Sequence, residues 1–153
     1  MNPARTMSPM PPASAPALIL GIGGLIPFVG LASLAGFGPD AWHDYSLLAL
    51  SCYGAVILTF VGALHWGYAM KRPAFEGEAW LQYAFSVAPA LLAWLSLLLP
   101  VSAALRLQAA SLLVCYVFDR VSARSDPVPA WFLKLRAALT AFGAASLALA
   151  GSL

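Results

Sequence analysis

Five long apolar segments, roughly residues 16–36, 46–70, 80–99, 101–118 and 131–152, leave this chain few ways to fold. Each is close to the ~20 residues that a helix needs to cross the hydrocarbon of a bilayer. Backbone N–H and C=O groups cannot go unpaired in lipid, so each segment is expected to be a helix. A water-soluble alternative fails on surface chemistry. Only 9% of the 153 residues are charged and 61% are hydrophobic, whereas soluble domains carry about 25% charged residues. The chain therefore reads as an all-α integral membrane bundle of five transmembrane helices. They form one domain over residues 16–153, with no room for a soluble one.

Residues 1–15, MNPARTMSPMPPASA, hold a single charge and are expected to be a disordered tail, since they cannot bury enough apolar surface to fold. The SLAG of residues 33–36 has the form of a signal-peptidase site. The apolar stretch before it exceeds the roughly 7–15 residues of a signal core, so the first helix is read as retained. Pro27 and Pro89 fall inside the first and third segments and predict local kinks. Pro100 separates the third and fourth segments almost without a loop, which predicts a tight antiparallel hairpin.

Cations set the orientation. Arg5, Lys71, Arg72, Arg120, Arg124, Lys134 and Arg136, seven of the eight, fall on one side of a five-span threading. The other side carries Asp40 and Asp44, and Arg106 is the exception, with a stem long enough to snorkel. The N-terminus is expected in the cytoplasm and the C-terminus outside. Trp42, Tyr45, Trp66, Tyr68, Trp80 and Trp131 stand near segment ends, where amphipathic rings prefer the headgroup level, and they are given no ligand. Cys52 and Cys115 lie toward opposite faces in this threading and are read as free, buried thiols.

Small residues recur at four-residue spacing in the second segment: Ser51, Ala55, Thr59, Ala63 and Gly67. Ala137, Ala141 and Ala145 repeat the pattern in the fifth. Such ladders let helices approach closely and are read as packing faces, inside the bundle first and toward a partner second.

Candidates for chemistry are scarce. His65 lies six residues before Lys71, close to the cytoplasmic end, and Gly62 one turn earlier leaves space beside its ring. At that level Tyr116 and Asp119 stand on the fourth helix and Arg136 on the fifth. Polar groups in lipid need partners, so His65, Asp119 and Arg136 are expected to meet. The cluster is either glue for three helices, the preferred reading, or a ligand or proton site. His43 and His65 are separated by about 33 Å of helix, too far to ligate one haem iron within the chain. Asp40, His43 and Asp44 form a loop that is read as hydrated and acidic rather than as a metal site, with Asp40 or Asp44 pairing to Arg106. No cofactor and no metal are expected. A net charge of +2 without basic runs argues against nucleic acid, and no nucleophile elbow, phosphate loop or zinc-binding helix occurs.

FVGALHWG at residues 60–67, PAWFLKLRAALT at 129–140 and GLIPF at 24–28 resemble the domain-of-unknown-function family 3429, the transmembrane protein 69-like small multi-pass membrane proteins. The matched positions are His65, Trp66, Gly67, Asp119, Pro129, Trp131, Leu135, Arg136 and Thr140. Ala63 and Phe132 depart from the family pattern, which often has glycine and tyrosine there. The resemblance implies a multi-pass protein of a bacterial inner membrane or an energy-converting membrane, and no established activity. The expected function is non-enzymatic: an accessory, scaffold or assembly component of a larger membrane complex, or a homo-oligomer in the bilayer. The alternative is a small transporter or proton-coupled ligand-binding protein using His65, Asp119 and Arg136. An intramembrane enzyme ranks third, since convergent acids, bases and nucleophiles are lacking.

Overall fold

The computed structural model describes residues 15–70, 76–125 and 128–153. The expected tail, Lys71 and Arg72 fall outside these. The described chain is helical throughout, with no strand. It comprises α1 (Ala15–Gly23), α2 (Leu25–Phe37), a 3-10 turn (Asp40–Trp42), α3 (His43–Ala69), α4 (Glu76–Ser96), α5 (Val101–Ser125) and α6 (Ala130–Ala150).

Among the described residues, four stretches are long and apolar enough to cross a membrane: Ala15–Phe37, Asp40–Ala69, Val101–Arg124 and Ala130–Ala150. α4 is less apolar because Gln82, Tyr83, Ser86 and Pro89 interrupt its hydrophobic residues. Large apolar side chains such as Ile26, Phe37, Val56, Leu91, Leu98 and Leu149 cover the outside. Soluble monomers rarely expose contiguous apolar surface on this scale, so lipid is the solvent for this surface.

The first apolar segment is two helices. Its break falls at Gly24, one turn earlier than the kink expected at Pro27. Proline has no N–H and its ring crowds the carbonyl four residues back. In the first turn of a new helix that N–H would be unpaired anyway, and Pro27 occupies such a place in α2. The Gly24 N–H donates to Leu20 O at 3.0 Å and Gly21 O at 3.1 Å. Tyr53 Oη donates to Gly24 O at 2.8 Å, which ties the break to α3.

α3 is the centre of the bundle and touches α2, α4, α5 and α6. Its buried stripe runs Leu47, Leu50, Gly54, Leu58, Val61, His65 and Ala69, at the 3.6-residue period of a straight helix. Leu50 and Leu58 meet Phe28, Leu105, Leu112 and Leu147 in the core. The expected four-residue ladder does not stay on this face. Ser51 and Ala55 are buried, Thr59 and Ala63 are exposed, and Gly67 has open space around it. Each four-residue step overshoots a full turn by about 40°, so four steps carry the ladder about 160° around the helix. Ala141 and Ala145 on α6 also face outward.

Several helices outrun their apolar runs. α5 continues to Ser125 rather than 118, and α3 begins at His43 rather than 46. The apolar run marks only the hydrocarbon layer, and a helix has no reason to stop at its edge. α4 ends earlier than expected, at Ser96, because the residue before a proline disfavours helical geometry. Residues 97–99 make i to i−3 turns into Pro100. Cys115 is buried and Cys52 is exposed, so only one of the two free thiols is buried as expected.

Candidate functional site

His65 stands four residues before the end of α3, Asp119 six before the end of α5, and Arg136 six after the start of α6. At 1.5 Å per residue all three lie within about 9 Å of a helix end. They meet as the spacing predicts. His65 Nε2 is 2.9 Å from Asp119 Oδ1. Arg136 Nε donates to Asp119 Oδ2 at 2.8 Å, and its Nη2 lies 2.7 Å from the same oxygen. The side chains are 4% exposed for His65 and 8% for Asp119 and Arg136. Asp119 thus meets the imidazole with one oxygen and the guanidinium with the other, from the middle of the group. With a neutral imidazole the net charge is zero, because the carboxylate and guanidinium cancel.

Aromatic rings close the site. The imidazole packs edge-on against Phe118 and Phe85 at centroid distances of 5.0 and 5.3 Å, and against Tyr68 at 6.0 Å. Phe85 and Phe118 stack at 3.5 Å. α4 approaches here because Gly62 has no side chain. A Cβ at Gly62 would stand 2.9 Å from Ser86 O and 3.0 Å from Pro89. The open space inferred beside His65 is filled by this helix. Tyr116, at the same level, makes no polar contact with the three. A cavity of about 30 Å³, lined by His65, Gln82, Asp119 and Ser122 among others, adjoins them, and Gln82 Oε1 has no partner.

A second buried polar group, absent from the sequence reading, lies toward the other end of the bundle. Gln108 Nε2 donates to Ser51 O at 3.0 Å, Ser51 Oγ at 3.3 Å and Ser96 Oγ at 2.8 Å. Gly54 makes room for it, since a Cβ there would collide with Gln108 Oε1. The signal was available: Leu105, Gln108, Leu112, Cys115 and Asp119 share one stripe of α5 at helical spacing.

The loop of residues 38–44 is committed to structure. His43 Nδ1 donates to Ala35 O at 2.9 Å, which satisfies a carbonyl in the last turn of α2. Arg106 pairs with neither Asp40 nor Asp44. It is exposed, and its stem lies against Gly151 at the end of α6, where the helix dipole favours a cation. Trp42, Tyr45, Trp66 and Trp80 are exposed, as expected of interfacial rings. Trp66 also meets Tyr83 edge-on at 5.0 Å. Trp131 departs from this pattern: its Nε1 is buried without a partner. Pro129 caps α6, accepting the Phe132 N–H at 2.9 Å, and Thr140 is buried in the middle of that helix.

Residues 13–151 match the model of a family described as protein of unknown function, DUF3429. The chain is 37% identical over 137 residues to transmembrane protein 69 of Xenopus tropicalis. The alignment takes in 88% of this chain and 53% of that relative, so the chain spans about half its length. No solved structure matches. With the matched residues running from before α1 to the end of α6, the chain belongs to the DUF3429 family of multi-pass membrane proteins, which also includes transmembrane protein 69.

Proposed function

We propose that this chain is a non-enzymatic, five-span protein of the bacterial inner membrane that serves as an accessory or assembly component of a larger membrane complex. One observation carries the reading: the Asp119 carboxylate pairs with the Arg136 guanidinium and meets the His65 ring, and the three join α3, α5 and α6 at one end. Buried charges paired in this way fasten helices, leaving little charge for substrate chemistry. The pairing also favours a fifth span. It sets the ends of α3 and α5 at one level, while Gln108 joins the other end of α5 to Ser51 and the end of α4. α4 is about 31 Å long, enough to carry the chain back between parallel helices. The outward Thr59 and Ala63 on α3, and Ala141 and Ala145 on α6, offer close-approach surfaces to a partner helix.

The test is purification in mild detergent followed by mass spectrometry. Stoichiometric recovery with other membrane subunits is expected, and recovery as a lone protein overturns the reading. The small cavity beside His65 favours a second reading, a proton-coupled binding protein, because its polar lining has room for one water. The two diverge in a variant that replaces all three charged residues with apolar ones. A folded variant that joins the complex with any transport or ligand uptake unchanged supports the accessory reading, whereas a folded variant that has lost transport or ligand uptake supports the second.

A further inference from the structure

We infer that a second, apolar cavity beside the ion network binds a flat, lipid-soluble carbonyl compound of the quinone class. The cavity holds about 370 Å³ between α1–α2, α3 and α6. That volume lies in the range of roughly 300–1,000 Å³ typical of small-molecule sites, which are mostly apolar with a few polar groups. Its walls include the rings of Phe28, Phe60, Trp131 and Phe132, which suit a planar occupant. Leu20 and Phe60 line it while remaining exposed, so its mouth lies on the apolar exterior of the bundle.

The polar groups on its wall are donors in want of an acceptor. Thr140 is 3% exposed, and its Oγ1 has no hydrogen-bond partner. Trp131 Nε1, which can only donate, is also buried without one. Arg136 lines the same wall. Its Nε donates to Asp119, whereas Nη2, though at ion-pair distance from that carboxylate, is buried without a hydrogen bond of its own. Arg136 and Thr140 are one turn apart on α6, about 6 Å of rise, a spacing that suits a ring with carbonyl oxygens on two edges. Asp119 already neutralises the guanidinium, so the wall attracts a neutral carbonyl more than a carboxylate. The tail of such a compound would leave between Leu20 and Phe60 into the bilayer.

This inference is independent of the accessory reading, because it needs no partner protein. The experiment uses the full chain in detergent and follows thermal unfolding against increasing decyl-1,4-benzoquinone, decylbenzene and palmitate. The quinone is expected to stabilise saturably, and decylbenzene, with the same tail and no acceptor, to do so at least tenfold less well. Thr140→Val should weaken quinone binding about fivefold, the loss of one hydrogen bond. Gly21→Leu should abolish it, because a side chain there enters the cavity mouth beside Leu135 and Leu139. Trp131→Phe supplies a second donor deletion should Thr140→Val fail to fold. Equal stabilisation by decylbenzene, tighter binding of palmitate, or unchanged quinone affinity in Gly21→Leu and in the folded donor variants would each overturn the proposal.

Discussion

Asp119 is the residue on which the ion-paired end of the bundle depends. Both of its oxygens are engaged, one by His65 and the other by Arg136. Deleting it leaves a guanidinium buried without a counter-charge, the case in which breaking a buried pair costs about 3–5 kcal/mol. Asp119→Ala should therefore unfold at markedly lower temperature than the parent, as read by circular dichroism in detergent. Removing every charge at once should hurt less. Replacing a whole buried ion network with apolar residues of similar volume is often neutral or stabilising, so His65→Phe, Asp119→Leu and Arg136→Met combined should melt above Asp119→Ala alone. If the combined variant were the less stable of the two, the network would be contributing net stability beyond mutual neutralisation. The meeting of these residues was legible in sequence because three ionisable groups fell at one depth in an apolar chain, where each needed a partner. The cluster at Gln108 went unread because an amide has no charge to draw notice, though it sits on the same stripe.

At the scale of elements, helix identity could be read from the apolar runs, whereas helix faces could not be read from small-residue spacing. The ladder from Ser51 to Gly67 counts in fours and so winds away from the buried stripe. Contact depends on which glycine faces a neighbour. Gly62 meets the backbone of α4 at Ser86 and the ring of Pro89, while Gly67, five residues on, has nothing within 4 Å. A carbonyl oxygen cannot move aside as a flexible side chain can. Gly62→Leu should force α3 and α4 apart and cost at least the roughly 1–3 kcal/mol of overpacking. Gly67→Ala should be neutral, or stabilising by up to about 1 kcal/mol through helix propensity. Thermal melts of the two variants, read against the parent, separate these outcomes; a tolerated Gly62→Leu would mean that the close crossing is not needed. Pro27 shows the same limit. Its presence predicted a disturbance, but the position of the break, at Gly24, depends on Tyr53 reaching across from α3 to take up the carbonyl there.

For the whole molecule, the two polar clusters act as depth marks. His65 and Asp119 fix the ends of α3 and α5 at one face, and Gln108 with Ser51 and Ser96 fixes the opposite half. α3 and α5 therefore run in the same direction, and α4 and α6 run against them. If α3 and α5 both cross the bilayer, α4 has to return the chain through its full thickness despite the polar residues that interrupt it. Arg120, Arg124, Lys134 and Arg136 all belong to the end that holds the ion network, and under the proposed five-span arrangement that end would face the cytoplasm. Single cysteines in a Cys52→Ala, Cys115→Ala background test this arrangement with a membrane-impermeant maleimide on intact cells. Asp40→Cys, Leu98→Cys and Ser152→Cys should label from outside, and Met70→Cys and Val128→Cys only after the membrane is opened. Labelling of Leu98→Cys and Ser152→Cys only after opening, with Asp40→Cys still labelled from outside, would take α4 out of the bilayer and set α5 antiparallel to α3. That outcome would break the pairing of His65 with Asp119, since their helix ends would then lie on opposite faces.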